Sequence, residues 1–258
     1  MEFAKIEDFA LNEYGINLSA YKSRQLTRRV ESFITRSGAD NENDFIKMLK
    51  SDRNLSKKFL DHLTINVSEF FRNKDMFLEL EKKIKELLNP DKNSLKIWSA
   101  ACSIGAEPYT LAIIMDKLTP GKMHNIIATD IDMTILDTAK KGSYTKNDIR
   151  NVEPQLIDKY FTIEGERYLI KDDIKRRVNF KKHDLIMDRY ESGFDVIVCR
   201  NVVIYFTQET KNEIYKKFYN AMKPGALLFV GATESIYNYR ELGFEKASTF
   251  IYRKPGVN

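Results

Sequence analysis

The chain has 258 residues, 43% of them hydrophobic and 31% charged, with only 11 glycines and 6 prolines, which excludes disordered and collagen-like chains and leaves one large domain or two smaller ones. A formal net charge of +5 is mild, and alone it does not indicate nucleic acid, which marks its partners with a concentrated basic face and a fold signature. No apolar run approaches the roughly 20 residues that cross a bilayer, and the opening MEFAKIEDFALNEYG is acidic where a signal peptide is basic, so a cytoplasmic protein without membrane insertion is expected.

In chain order, apolar spacing predicts helices over Ala4–Tyr14, Ser19–Ser37, Glu42–Leu49, Lys57–Leu63 and Lys74–Leu88. On the second of these, Leu26, Val30, Phe33 and Ile34 share one face, and Arg24, Arg28, Arg29 and Arg36 are expected on the opposite arc. NPDKNS, Asn89–Ser94, reads as a linker or loop. Beyond it strand and helix alternate: LKIWSA, a helix from about Pro108, NIIATDI, a helix over Thr134–Lys141, FDVIVCRN, the helix QETKNEIYKKFYNAM, and GALLFVGA. Such alternation implies parallel strands with crossover helices, an α/β fold with a doubly wound, mostly parallel sheet. GFEKASTFIYRKP lacks a long helix between its apolar pieces and predicts an antiparallel edge strand. From Tyr144 to Asp184, RYLI and RVNFKKHD are short strands around KDDIKR and predict an inserted antiparallel β-subdomain over about 144–184. The expected organisation is a small all-α N-terminal domain over 1–73, a linker helix and loop over 74–94, and the α/β domain over 95–258.

The informative turn follows the first strand. In open parallel sheets ligands sit at the carboxyl ends of strands, where the order reverses. Ala100, Ala101, Ser103, Gly105 and Ala106 are small enough for a ligand to approach the backbone, and Pro108 suits a first helical turn because its missing N–H would have no helical partner there. A dinucleotide site would carry G-x-G-x-x-G before the helix. Here there is one glycine, and Glu107 at the helix start would repel a phosphate while suiting a cation such as the amino group or sulfonium of S-adenosylmethionine. The second strand ends in ATDID, which puts Asp130 where an acid meets ribose hydroxyls, at a spacing from Gly105 close to the roughly 20 residues expected, with Asp132 next in the loop. FDVIVCRNVVIYF then delivers Arg200 and Asn201 to the sheet's carboxyl edge, followed by Tyr205, for which a core anchor is the structural alternative.

Other chemistries are poorly supplied. Cys102 and Cys199 are too few for a disulfide framework and are expected as free thiols. His62, His124 and His183 stand apart, none in a ligand spacing, so no metal site is expected.

The segments TINVSEFFRN (Thr64–Asn73), IWSAACSIGAEPYTLA (Ile97–Ala112), ATDID (Ala128–Asp132), KKHDL (Lys181–Leu185), VCRNVVIYF (Val198–Phe206) and LLFVGATE (Leu227–Glu234) span nearly the whole chain. In this order and combination the sequence resembles the chemotaxis receptor glutamate methyltransferases, the CheR family. The resemblance implies an S-adenosylmethionine domain with an inserted β-subdomain behind an N-terminal helical domain, and methyl transfer to glutamate carboxylates on the cytoplasmic helices of chemoreceptors, leaving S-adenosylhomocysteine. It also implies roles, position by position. Asn66, Ser68 and Arg72 would reach the cofactor from the helical side, Glu107 would hold its methionine end or ribose, and Asp130 its ribose hydroxyls. Asp184 and Leu185 would flank the adenine, Asn201 and Val202 would line the strand-end floor with Gly105 in the cradle, and Arg72 and Tyr205 would lie nearest the transferred methyl. Two departures stand out: Ser68 replaces a common Thr and keeps the hydroxyl, and Ala106 replaces a common acid.

The basic face Arg24, Arg28, Arg29 and Arg36 would meet acidic receptor helices, which implies recruitment to receptor arrays; a solvated charge run is the plain alternative. Some family members tether a receptor's C-terminal pentapeptide through a β-subdomain loop. That loop is short here, TIEGERYLIKDDI, so no strong tether is expected. Three other readings remain at this point: a methyltransferase with another acceptor such as nucleic acid, a catalytically silent domain that senses S-adenosylmethionine or its product, and, on a glycine pattern that disfavours it, an NAD-dependent oxidoreductase.

Overall fold

In the computed structural model residues 3–63 and 68–256 are described. By contact the chain forms two units, Met1–Asn66 with Tyr205–Lys211, and Val67–Ile204 with Asn212–Asn258.

The smaller unit is helical: α1 (Phe3–Tyr14), a short 3-10 turn Leu18–Ala20, α2 (Ser23–Ser37), α3 (Glu42–Ser51) and α4 (Arg53–Leu63). Side-chain caps define the starts of the shorter helices. Asn41 Oδ1 accepts from Asp44 N at 3.0 Å ahead of α3, and Asp52 Oδ1 accepts from Asn54 N at 2.8 Å ahead of α4. Ile6 and Phe9 of α1, Leu26, Val30 and Ile34 of α2, Phe45 and Leu49 of α3, and Phe59 of α4 are buried. The i, i+4 spacing on α2 gives it one apolar stripe, and the Phe33 ring lies 6.0 Å from Phe45 and 5.3 Å from Phe59. Tyr205–Lys211 joins this unit through backbone: Lys22 N donates to Tyr205 O at 2.8 Å, Thr207 N donates to Ala20 O at 3.0 Å, and Tyr21 bridges Phe206.

The larger unit begins with α5 (Lys74–Leu88) and then alternates: β1 (Lys96–Ala100), α6 (Ala106–Leu118), β2 (Asn125–Asp130) and α7 (Met133–Lys141). The insertion follows, with β3 (Ser143–Tyr144), α8 (Pro154–Tyr160), β4 (Phe161–Glu164), β5 (Arg167–Ile170) and α9 (Asp172–Lys175). The chain returns through β6 (Val178–Lys182) and β7 (Phe194–Cys199), then α10 (Gln208–Ala221), β8 (Met222–Val230), β9 (Glu245–Lys246) and β10 (Ile251–Arg253). The seven-stranded sheet has the order β6-β2-β1-β7-β8-β10-β9, parallel from β6 to β8 and antiparallel at β10 and β9. Central strands β1 and β7 are covered on both faces, so they read as continuous apolar runs. From β1 the chain moves to β2 and β6 on one side and to β7 and β8 on the other, which puts the topological switch point at the carboxyl ends of β1 and β7.

Two expectations change. RVNFKKHD does not belong to the small antiparallel sheet: β6 pairs parallel with β2, from Ile126 opposite Val178 to Asp130 opposite Lys182. Its alternation of apolar and polar residues suits any sheet edge, and tertiary contacts choose the partner. Arg177 Nη2 pairs with Asp116 Oδ1 of α6 at 2.8 Å and Nη1 donates to Lys122 O at 3.0 Å, which seats Val178 beside β2. The inserted three-stranded sheet is instead β3-β5-β4, with β4 and β5 a hairpin closed by Gly165 and Glu166. The helix expected from about Pro108 begins at Ala106, after Gly105 in the left-handed region at φ 85°. A Cβ on Gly105 would sit 2.9 Å from Ala139 Cβ of α7, so glycine is required by packing as well as by φ.

Candidate active site

Three amides of the turn after β1 are bound internally. Cys102 N donates to Thr129 O at 2.8 Å, Gly105 N to Cys102 O at 3.0 Å, and Ser103 N to Asp130 Oδ2 at 2.9 Å. Asp130 Oδ1 accepts from Asp132 N at 3.1 Å, and Asp132 in turn caps α7 through Thr134 N at 2.8 Å. The buried Asp130 carboxyl is raised above the ordinary range by burial, against which the Asp132 and Ser103 amides pull. A carboxylate offers about four lone-pair directions. With the amides of Asp132, Ser103 and Ile131 bound, Asp130 retains acceptor capacity for a hydroxyl.

Glu107, in the first turn of α6, is half-buried beside the switch point, with 13% of its side chain exposed. Its Oε1 accepts from Ser99 Oγ at 2.8 Å, and its Oε2 lies 3.5 Å from Arg200 Nη1. Burial raises its pKa, with Arg200 and Ser99 opposing. Arg200 follows β7, and its Nη2 donates to Arg72 O at 2.8 Å and to Asn73 Oδ1 at 3.0 Å. Its guanidinium lies 4.9 Å from the ring centroids of both Phe77 and Phe229.

A second carboxylate organises the next loop. Glu234 accepts from Asn201 N at 2.6 Å, Gly231 N at 2.8 Å and Val202 N at 2.9 Å. A Cβ at Gly231 would collide with this carboxylate, which explains the glycine. Burial raises the Glu234 pKa against the pull of those amides. Five of the six positive-φ non-glycine residues among those described, Phe71, Asn73, Ala101, Ser103 and Asn201, fall in these loops. Such conformations cost about 1–3 kcal/mol each and persist where the surroundings over-determine them, so their concentration here points to a functional centre.

Most of the sequence-based candidates therefore lie in the larger unit. Arg72 is half-buried, with its carbonyl held by Arg200, and Ser68 is half-buried. Asp184 Oδ1 accepts from Ile186 N at 2.7 Å and shapes the turn after β6, where Leu185 is buried. Asn66 lies outside the described residues. Tyr205 is counted with the helical unit. There, Arg24, Arg28 and Arg36 are exposed, but Arg29 needs correction: it is half-buried, its guanidinium donates to His62 O, and His62 Nε2 is 3.0 Å from Arg29 O. At 100° per residue Arg29 borders the apolar stripe rather than opposing it. Burial lowers its pKa.

Sequence reasoning missed Ser99, Asn73 and Glu234 as parts of the site. Only Glu234 had a usable signal, an acid three residues beyond Gly231 at the end of an apolar strand. Cys102 and Cys199 are buried free thiols whose pKa values burial pushes well up. Among the described residues no His, Cys, Asp and Glu cluster fit to hold a metal is found.

The fit to a cofactor follows from this accounting. A pyrophosphate needs open backbone N–H groups at the strand-to-helix turn. Here Ser103 N is bound to a carboxylate, Cys102 N and Gly105 N to carbonyls, and two acids, the half-buried Glu107 and the buried Asp130, stand at the sheet's carboxyl edge. A doubly wound sheet with such a switch point suits a phosphate-free, cationic nucleoside, and this defines the class: an S-adenosylmethionine-dependent methyltransferase. Comparison with known proteins agrees. Residues 66–251 match the family described as CheR methyltransferase, SAM binding domain, and residues 1–64 match CheR methyltransferase, all-alpha domain. The chain is 40% identical to a chemotaxis protein methyltransferase of Listeria innocua over 94% of its own length and 93% of that protein. It is 32% identical to one from Borreliella burgdorferi, over 96% of this chain and 93% of the other. The chain belongs to the CheR methyltransferase family.

Proposed function

We propose that the protein methylates glutamate side-chain carboxylates on the cytoplasmic helices of chemotaxis receptors, forming γ-methyl esters. The observation that carries this reading is the presence of two acids at the carboxyl edge of the sheet, Glu107 in the first turn of α6 and Asp130 at the end of β2, in a chain related to proteins named chemotaxis protein methyltransferase. Bound there, S-adenosylmethionine supplies an electrophilic methyl on a positively charged sulfur. Asp130 would hold ribose hydroxyls and Glu107 the cationic end of the methionine moiety or the ribose. Asp184 and Leu185 would flank the adenine, with Asn66, Ser68, Gly105, Asn201 and Val202 completing the cradle.

An acceptor glutamate with an ordinary pKa near 4.3 is already ionised at neutral pH, so its own electron pair attacks and no general base is needed. Two of the three histidines fit this: His124 accepts from Leu95 N at 3.1 Å through Nδ1 and meets Thr119 Oγ1 through Nε2, and His62 serves Arg29, so both are structural. What remains for the site is in-line placement and exclusion of water. The family resemblance supports Arg72 as the group that orients the acceptor carboxylate by its fork of donors, and Tyr205 as one that shapes the methyl site. Labelled S-adenosylmethionine incubated with the protein and receptor-containing membranes should yield base-labile label in the receptor. Label that survives base, or appears in RNA instead, would overturn the assignment.

Arg24, Arg28 and Arg36 form the candidate receptor face of the helical unit. Reversing Arg24 and Arg28 to Glu should lower kcat/KM on receptor membranes roughly tenfold, through lost electrostatic steering. Adenosylhomocysteine affinity should stay unchanged in calorimetry, and an unaltered rate would remove this face from recognition. The hairpin of β4 and β5 closes in the two residues Gly165 and Glu166. This short connection supports the absence of a pentapeptide tether, and titration with an isolated receptor C-terminal pentapeptide should show no saturation below about 1 mM.

A further inference from the structure

Arg200 is buried, with 2% of its side chain exposed, at the switch point between β1 and β7. Such a cation is costly to hold out of water, and its own pKa is lowered by burial despite the Glu107 carboxylate beside it. Its fork reaches two places. One arm faces Glu107 Oε2 at 3.5 Å, and the other donates to the carbonyl of Arg72 and to Asn73 Oδ1. Phe71 and Asn73, on either side of Arg72, are in the left-handed region, at φ 49° and 61°. A backbone bent that way needs an external tie, and Arg200 is one. The Phe77 and Phe229 rings flanking the guanidinium restrict it to this orientation.

We propose that Arg200 is a positioning residue for methyl transfer: one guanidinium ties the cofactor-facing acid Glu107 to the backbone of Arg72, so that cofactor and acceptor carboxylate are held in a single register. This rests on the cofactor reading of Glu107 and on the acceptor role of Arg72. Lysine cannot replace it, because a single ammonium lacks the planar fork that serves both partners. A second consequence concerns charge. Glu107 is also faced by Glu234 beyond β8, and by the thiols of Cys102 after β1 and Cys199 at the end of β7, while Arg72 faces Arg200. Among these groups Arg200 is the nearby cation that favours ionised Glu107, and its removal lets burial raise that carboxyl further. Protonated Glu107 carries no charge to hold a cation, so affinity would be lost as pH falls through the raised value.

The test compares wild type, Arg200→Lys and Arg200→Met in the full-length protein, with adenosylhomocysteine calorimetry from pH 6 to 8.5 and turnover on receptor membranes per cofactor-binding site. Wild type should bind with a weaker pH dependence than Arg200→Met over this range. Arg200→Lys should keep KM for S-adenosylmethionine within about threefold while kcat falls at least about tenfold, the split that a lost register produces. Arg200→Met should bind more tightly as pH rises, by up to about tenfold per unit while Glu107 titrates. If Arg200→Met does not fold, the lysine variant decides alone. Wild-type kcat in Arg200→Lys, or an Arg200→Met profile as flat as wild type, overturns the proposal. Failure of wild type itself to bind adenosylhomocysteine would instead remove the cofactor reading on which it rests.

Discussion

Arg72→Ala is expected to leave a folded protein that binds adenosylhomocysteine and transfers methyl groups at least about 100-fold more slowly, the scale associated with lost positioning of a reacting group. The segment that carries Arg72 is anchored by other groups. Phe70 and Phe71 are buried, Phe70 N donates to Asp148 O at 2.9 Å, and Phe71 N donates to Thr110 Oγ1 at 3.1 Å. The Arg72 backbone is held through its carbonyl by Arg200, a bond that truncation of the Arg72 side chain does not remove. Circular dichroism should therefore be unchanged while base-labile label in the receptor collapses. Arg72→Lys keeps the charge but not the fork, and should recover only part of the rate. Near-normal turnover in the alanine variant would take Arg72 out of the mechanism.

Glu234→Ala should have the largest effect on stability of any single substitution in the site. It strands three backbone donors, of the half-buried Asn201 and Val202 and the buried Gly231, beside a residue that is itself 4% exposed. Each buried donor left unpaired costs about 1–3 kcal/mol, so a loss of about 3 kcal/mol or more is expected, partly relieved where water enters. For a chain of this size that lowers Tm by about 10 °C. Asn201, at φ 60°, would lose the contact that holds it there, so cofactor affinity should fall with stability. Glu234→Gln keeps the shape but turns an amide N–H towards amide donors, and should fall between alanine and wild type. Thermal unfolding with and without adenosylhomocysteine checks both, and an unchanged Tm in Glu234→Ala would contradict the role given to this carboxylate.

Much of the larger unit was legible because its strands announce themselves. The apolar runs ending in Ala100, Asp130 and Cys199 are short, continuous and punctuated by turns, which is how strands covered on both faces must read. Asp130 was legible for a related reason, since an acid at the end of such a run falls at the sheet's carboxyl edge, and Glu107 because an acid opens the helix that follows the first run. The partner of β6 was not. Val178–Lys182 alternates like any edge strand, and an ion pair from Arg177 to Asp116, 61 residues away, accompanies its place beside β2. Arg29 was misplaced because it was grouped with Arg24 and Arg28 although its angle borders the apolar stripe: that position is half-buried, and its guanidinium meets the end of α4.

By itself the sequence determined the alternation of strand and helix in the larger unit, the class of fold, the family, and the positions of Glu107 and Asp130 near the sheet's carboxyl edge, because periodicity and charge are local properties of neighbouring residues. Only the tertiary structure decided how those acids are held. Arg200 tying Glu107 to the carbonyl of Arg72, and Glu234 collecting the amides of Asn201 and Gly231, join residues as far as 128 positions apart. Pairings of that kind exist only once the sheet has brought its strand ends together, where burial makes each unmatched charge and N–H costly enough to select its partner.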